Sequence, residues 1–140
     1  MEPAVSLFLD ACTLIYRFEG AAPFRTAAVD LLAQLTAPQA SAELLVSRLS
    51  VLECRVKPLR EGNAALLKRY DDFFAAVRIV ELSAVVVDAA TQLRARYGLK
   101  TPDALQAACA FAASERPVFV TADAGFTKVA GLDVRLISQV

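Results

Sequence analysis

Apolar residues occur along this chain in two kinds of block, and the two kinds alternate. Residues 5–9, VSLFL, form a continuous apolar run closed by Asp10, and its length and composition predict a buried strand. Further runs at 44–47, 77–82 and 117–121, with an edge strand expected at 134–137, bring the predicted strands to five. Between them apolar positions recur at helical spacing. Val29, Leu32 and Leu35 mark a helix over 27–35 that runs out at Thr36 and Pro38, and 64–76 and 83–97 also read as helices. A short helix is expected from Thr13.

Local signals place the helix ends. Ser50-Val51-Leu52-Glu53 matches a capping box, in which serine and glutamate satisfy the free backbone N–H groups of a helix start, so a helix is expected from there to about Arg60, halted by Gly62-Asn63. Ser83 caps the 83–97 helix and Gly98 ends it. Thr101 is expected to cap a further helix with Pro102 at its first position, where the missing N–H costs nothing. Strands separated by helices predict the α/β class: a three-layer α/β/α arrangement around a central, mostly parallel sheet of about five strands. No repeat or low-complexity tract divides the chain, so residues 1–140 are expected to form one domain.

Composition adds a partner and removes several chemistries. Apolar residues make up 56% and charged residues 21%, more apolar surface than one small core can cover, which predicts another protein chain as partner. Fifteen basic and fifteen acidic residues cancel, so any nucleic acid is held locally rather than by a broad basic face. The absence of histidine excludes Ser-His-Asp and Cys-His catalysis and His-ligated zinc. Cys12, Cys54 and Cys109 are odd in number and widely spaced, as expected of reduced thiols in a cytoplasmic protein. No apolar run reaches the roughly 18–20 residues needed to cross a bilayer, so no membrane partner is expected.

The remaining chemistry lies in carboxylates. Folds of this class bind ligands outside the carboxyl ends of the strands. Asp10 ends the first strand, Glu53 and Asp103 fall in the first turns of helices, and Asp123 follows the 117–121 strand. Each acid has a structural explanation: a helix-dipole partner, the capping box for Glu53, an Asx turn for Asp123 beside Ala124-Gly125. Four acids converging at one end of a sheet would nevertheless repel one another unless a cation offsets them, and oxygen-rich sites suit Mg²⁺ or Mn²⁺.

The segments LDACTLIY, SRLSVLECRVKPLREGN, YGLKTPDALQAA and VFVTADAGF, in this order, resemble the PIN-domain family, and within it the VapC-type toxin ribonucleases of bacterial toxin–antitoxin pairs. The resemblance spans about residues 5–137. It implies a PIN-like fold and a metal-dependent endoribonuclease with Asp10, Glu53, Asp103 and Asp123 as metal-binding acids. Thr121 would be the accompanying hydroxyl. It further implies hydrolysis of RNA phosphodiesters to 5′-phosphate and 3′-hydroxyl ends, a homodimer, and a cognate antitoxin laid along a groove, for which the 64–76 helix and its preceding neighbour are the expected surface. Arg48, Arg55, Lys57 and Arg60 are the basic side chains expected to meet RNA. Two positions depart from the family pattern: Cys12, where many relatives have Ser or Asn, and Gln106, where many have His. Cys12 is expected to pack, and Cys54 to point away from Glu53. Gln106 is expected to leave the acids untouched and to alter RNA contacts. The alternatives are a non-catalytic PIN-like scaffold binding RNA or protein, and a haloacid-dehalogenase-like phosphatase, which the second acid's replacement by Cys12 disfavours.

Overall fold

A computed structural model describes residues 6–36 and 42–137; Val5 of the expected first strand and the helix-ending Pro38 lie outside the described residues. The elements follow in the order β1 Ser6–Leu9, α1 Ala11–Glu19, α2 Phe24–Thr36, β2 Glu43–Ser47, α3 Arg48–Glu61, α4 Ala64–Ala76, β3 Arg78–Val80, α5 Ala84–Tyr97, α6 Thr101–Ala113, β4 Val118–Thr121, a 3-10 turn Ala124–Lys128, and β5 Asp133–Leu136. The five strands make one sheet, β3-β2-β1-β4-β5, and every pairing is parallel.

Residue alternation in the strands sorts the core into two layers. Phe8 and Phe119, paired in register and stacked with ring centres 5.5 Å apart, face α5 and α6 with Leu45. Leu7, Leu9, Val46 and Val120 face the opposite way, against Leu14 of α1, Cys54 of α3 and Tyr70 of α4. Each fully buried large side chain contributes roughly 1.5–3 kcal/mol. Helix α6 is buried along Ala104, Gln106, Ala107, Ala108, Cys109 and Ala110, small side chains that let it lie close on the sheet. The result is the expected three-layer α/β/α fold, with the sheet wholly parallel.

Helix ends at Gly62 and Gly98 fall as expected, both glycines taking the left-handed conformation (φ 67° and 68°) that closes the last turn without a Cβ penalty. Four helix starts differ from expectation, α2 beginning at Phe24 rather than 27. Helix α1 begins at Ala11 rather than Thr13, because Asp10 is itself the cap and accepts from the Thr13 backbone N–H at 2.9 Å. Helix α3 is capped by Ser47, which accepts from the Ser50 N–H at 3.1 Å, so the capping box at Ser50 does not form and Glu53 sits a turn inside the helix. Helix α6 is preceded by Lys100 at the cap position, with no side-chain cap bond, and Thr101 is already helical.

One exposed apolar face lies on α3. Leu52, Val56 and Leu59, spaced along one face, are exposed and line a hollow of about 470 Å³ with Leu82. Helix α4, the other expected docking element, turns Tyr70 and Phe74 inward.

Candidate active site

Strand order reverses at the centre of the sheet. The chain runs from β1 outward to β2 and β3, then returns to place β4 on the other side of β1. A crevice opens outside the carboxyl ends of two such strands, the usual ligand position in open α/β folds. Asp10 leaves β1 at this point and Thr121 ends β4 beside it. The Thr121 hydroxyl donates to Asp10 Oδ2 at 2.5 Å, and accepts from the Asp123 N–H at 3.0 Å. Asp10 Oδ1 accepts the Thr13 N–H, and the Thr13 hydroxyl lies 2.9 Å from both that oxygen and the Val120 carbonyl. Asp10 is thus buried and held in one orientation. Burial pushes its pKa up; the hydrogen bonds from Thr121 and Thr13 oppose this, and the charge of Asp103 reinforces it.

Glu53 and Asp103 reach the same electrostatic field from α3 and α6. Burial raises the pKa of Glu53, Gln106 pulls it down, and the charges of Asp103 and Asp10 push it up. Asp103, in the first turn of α6, is raised by burial and by Asp123, against the opposing charge of Lys100. Asp123 is exposed and makes the expected Asx turn, its Oδ1 accepting the Gly125 N–H at 2.8 Å. Asp103 is therefore the shared neighbour, coupled to each of the other three acids. Among the described residues no salt bridge reaches any of the four. Nor do any three metal-ligating side chains there stand close enough to form a closed ligand set.

Gln106 alters the picture drawn from sequence. It is buried, and links β2 and α3 to α6: its Oε1 accepts from the Ser47 hydroxyl and its Nε2 donates to the Ser50 hydroxyl, both at 2.9 Å. Its side chain is thus enclosed within the fold, where it also holds the pKa of Glu53 down. Its position three residues after Asp103, on the same side of α6, is the signal that could have linked it to the acids. Thr13, Ser47 and Ser50 were likewise missed as supports, since each works through a partner distant in sequence or through a cap displaced by one turn.

Two of the three thiols, Cys54 and Cys109, are buried in the core. Cys54 is buried against the α1 and α4 side of the core, and its pKa is pushed up to about 12 by burial and by Glu53. Cys12 is half-buried and its pKa is raised by burial and by Asp10. Among the described residues no helix is long and apolar enough to cross a membrane.

The fold and this switch-point crevice define a class. The chain belongs to the PIN domain family, whose pattern it matches over residues 7–132. It is similar in structure to a chain of a toxin–antitoxin complex from Klebsiella pneumoniae, at 21% identity and TM-score 0.74, covering 96% of this chain and 99% of that one. It is similar also to a chain of VapBC2 from Rickettsia felis bound to a DNA fragment from their promoter, at 16% identity and TM-score 0.74, covering 96% and 100%. A third likeness is to VapC20 of Mycobacterium tuberculosis, a sarcin-ricin loop cleaving toxin, at 15% identity and TM-score 0.69, covering 92% and 98%. At these identities the likeness is one of fold. Among curated proteins the chain has no significant match.

Proposed function

We propose that this chain is a metal-dependent endoribonuclease and the toxin of a toxin–antitoxin pair. Asp10, Glu53, Asp103 and Asp123 are its metal-holding residues, and Thr121 is the hydroxyl that orients Asp10. The observation that carries the reading is the acidic crevice: four coupled carboxylates that, among the described residues, no salt bridge reaches, three of them held above their ordinary pKa. Such an arrangement costs stability unless protons or a cation offset it. An all-oxygen donor set suits Mg²⁺ or Mn²⁺, and Mg²⁺ keeps several waters while using one or two carboxylates, which fits acids set apart rather than caged. Bound there, such an ion supplies Lewis acidity toward a phosphodiester and lowers the pKa of a water, the work histidine does in metal-free nucleases.

The chain's own residues supply position. Asp10 is fixed by Thr13 and Thr121, Asp103 rides on the most buried helix, and Gln106 holds the pKa of Glu53 down. Rigid placement of this kind is what a reaction with little covalent chemistry for the protein demands. The similar folds in toxin–antitoxin complexes and in a sarcin-ricin loop cleaving toxin support the same reading. The apolar face of α3 is where a partner chain, an antitoxin or a second copy in a homodimer, would bury its apolar side. The three free cysteines fit a cytoplasmic setting.

Purified protein incubated with total cellular RNA and Mg²⁺ or Mn²⁺ tests this. Discrete cuts bearing 5′-phosphates, lost with EDTA and in Asp10→Asn, are expected. Cutting that survives both controls, or none when antitoxin is shown to be absent, overturns the reading, the latter in favour of a non-catalytic scaffold.

A further inference from the structure

The basic side chains that the sequence offered for RNA are largely committed elsewhere. Arg48 pairs with Glu81 at 2.5 Å, Arg55 with Asp71 at 3.3 Å and Lys57 with Glu19 at 3.4 Å. An electrically neutral chain with an acidic crevice has no general attraction for a polyanion, so cations must stand close to the acids themselves. Two do. Lys100, just before α6, and Lys128, at the end of the 3-10 turn, line one hollow together with Asp103 and Asp123. Among the described residues neither lysine makes a salt bridge. The hollow measures about 200 Å³ and is floored by buried Phe126. It is smaller than the roughly 300–1,000 Å³ that a drug-sized ligand occupies, and its lining sets two lysines beside two carboxylates.

We infer that Lys100 and Lys128 bind the RNA phosphate adjacent to the one that is cut, and so position the strand against Asp103 and Asp123. The inference rests on the nuclease reading and names how that site takes its substrate. Two exposed lysines offset the repulsion between the carboxylates and the incoming backbone at the one place where both meet. Being exposed, they add affinity and register rather than fold stability.

The test measures binding of a fluorescent oligoribonucleotide by the non-cleaving Asp10→Asn protein across a salt series, and steady-state cleavage by the otherwise unsubstituted chain. Lys100→Gln and Lys128→Gln should each weaken binding roughly two- to fivefold at low salt. Replacing both should reduce the slope of log affinity against log salt by about 0.7, the single-strand value for the one phosphate they share. The loss should appear mainly in KM, and Arg at either position should restore it. Lys68→Gln, which removes a lysine already paired with Asp72, should leave the slope unchanged. Unaltered slope and KM with both lysines replaced overturn the inference while leaving the nuclease reading intact. An Asp10→Asn protein that binds no RNA, together with a parent that cuts none, overturns both.

Discussion

Thr121 serves two partners with one hydroxyl, donating to Asp10 and accepting from the backbone of Asp123, and so ties two of the four acids to the end of β4. Valine has nearly the same shape and no hydroxyl. Thr121→Val therefore leaves a buried carboxylate oxygen without its donor and a backbone N–H without its acceptor, a loss of about 1–3 kcal/mol that urea denaturation at neutral pH should register. Removing a support of this kind typically costs about 10–100-fold in metal affinity or activity, so cleavage should fall by that order, and Thr121→Ser should recover most of both. Wild-type cleavage by the valine variant would remove Thr121 from the site. Its identity as a site residue came from family resemblance alone; the composition of VFVT shows a strand, and the bond to Asp10, 111 residues away, is visible only once β1 and β4 are neighbours.

Helix α6 carries Asp103 and Gln106 on one side, and through Gln106 it is tied to the start of α3, which carries Glu53. Gln106→Leu should remove the acceptor of the Ser47 hydroxyl and the donor to the Ser50 hydroxyl and lower stability by about 1–3 kcal/mol. Gln106 also holds the pKa of Glu53 down, so its loss should raise that pKa further and move the acidic limb of the pH–rate profile to higher pH. A limb that stays in place would separate Gln106 from Glu53. Such links explain which elements were legible in sequence. Strand runs such as SLFL and VFVT, and the glycines ending α3 and α5, carry their signal locally. The start of α3 did not, because Ser47 and Ser50 stand three apart and either could cap; the helix starts directly after β2, which makes Ser47 the cap. The pairing of the basic residues of α3 was hidden for a related reason, since the acidic partners of Arg48, Arg55 and Lys57, namely Glu81, Asp71 and Glu19, come from other elements.

Across the whole molecule the three raised carboxylates make stability depend on pH in a direction opposite to that of ordinary ion-paired acids. Asp10, Glu53 and Asp103 hold protons more tightly folded than unfolded. Their favourable contribution is complete below the unfolded values near 3.8–4.5, and is lost as pH rises through the raised folded values. Glu81 and Asp133, lowered by Arg48 and Arg135, act the other way, so the clean measurement is a difference between two proteins. Asp10→Asn deletes one raised carboxylate while keeping an acceptor for the Thr13 N–H. In metal-free buffer, the stability of the variant relative to the parent should therefore increase from about pH 4 to pH 7, as the parent comes to bear a buried charge and the variant does not. A divalent cation at neutral pH should close that gap from the parent's side, adding about 2.7 kcal/mol at a concentration a hundredfold above its dissociation constant, and should do much less for the variant. Denaturation curves at four pH values, with EDTA and with Mg²⁺ or Mn²⁺, read both effects. A difference that stays flat with pH would mean that Asp10 is not strained by its charge, and equal stabilisation of both proteins by the cation would place the metal elsewhere.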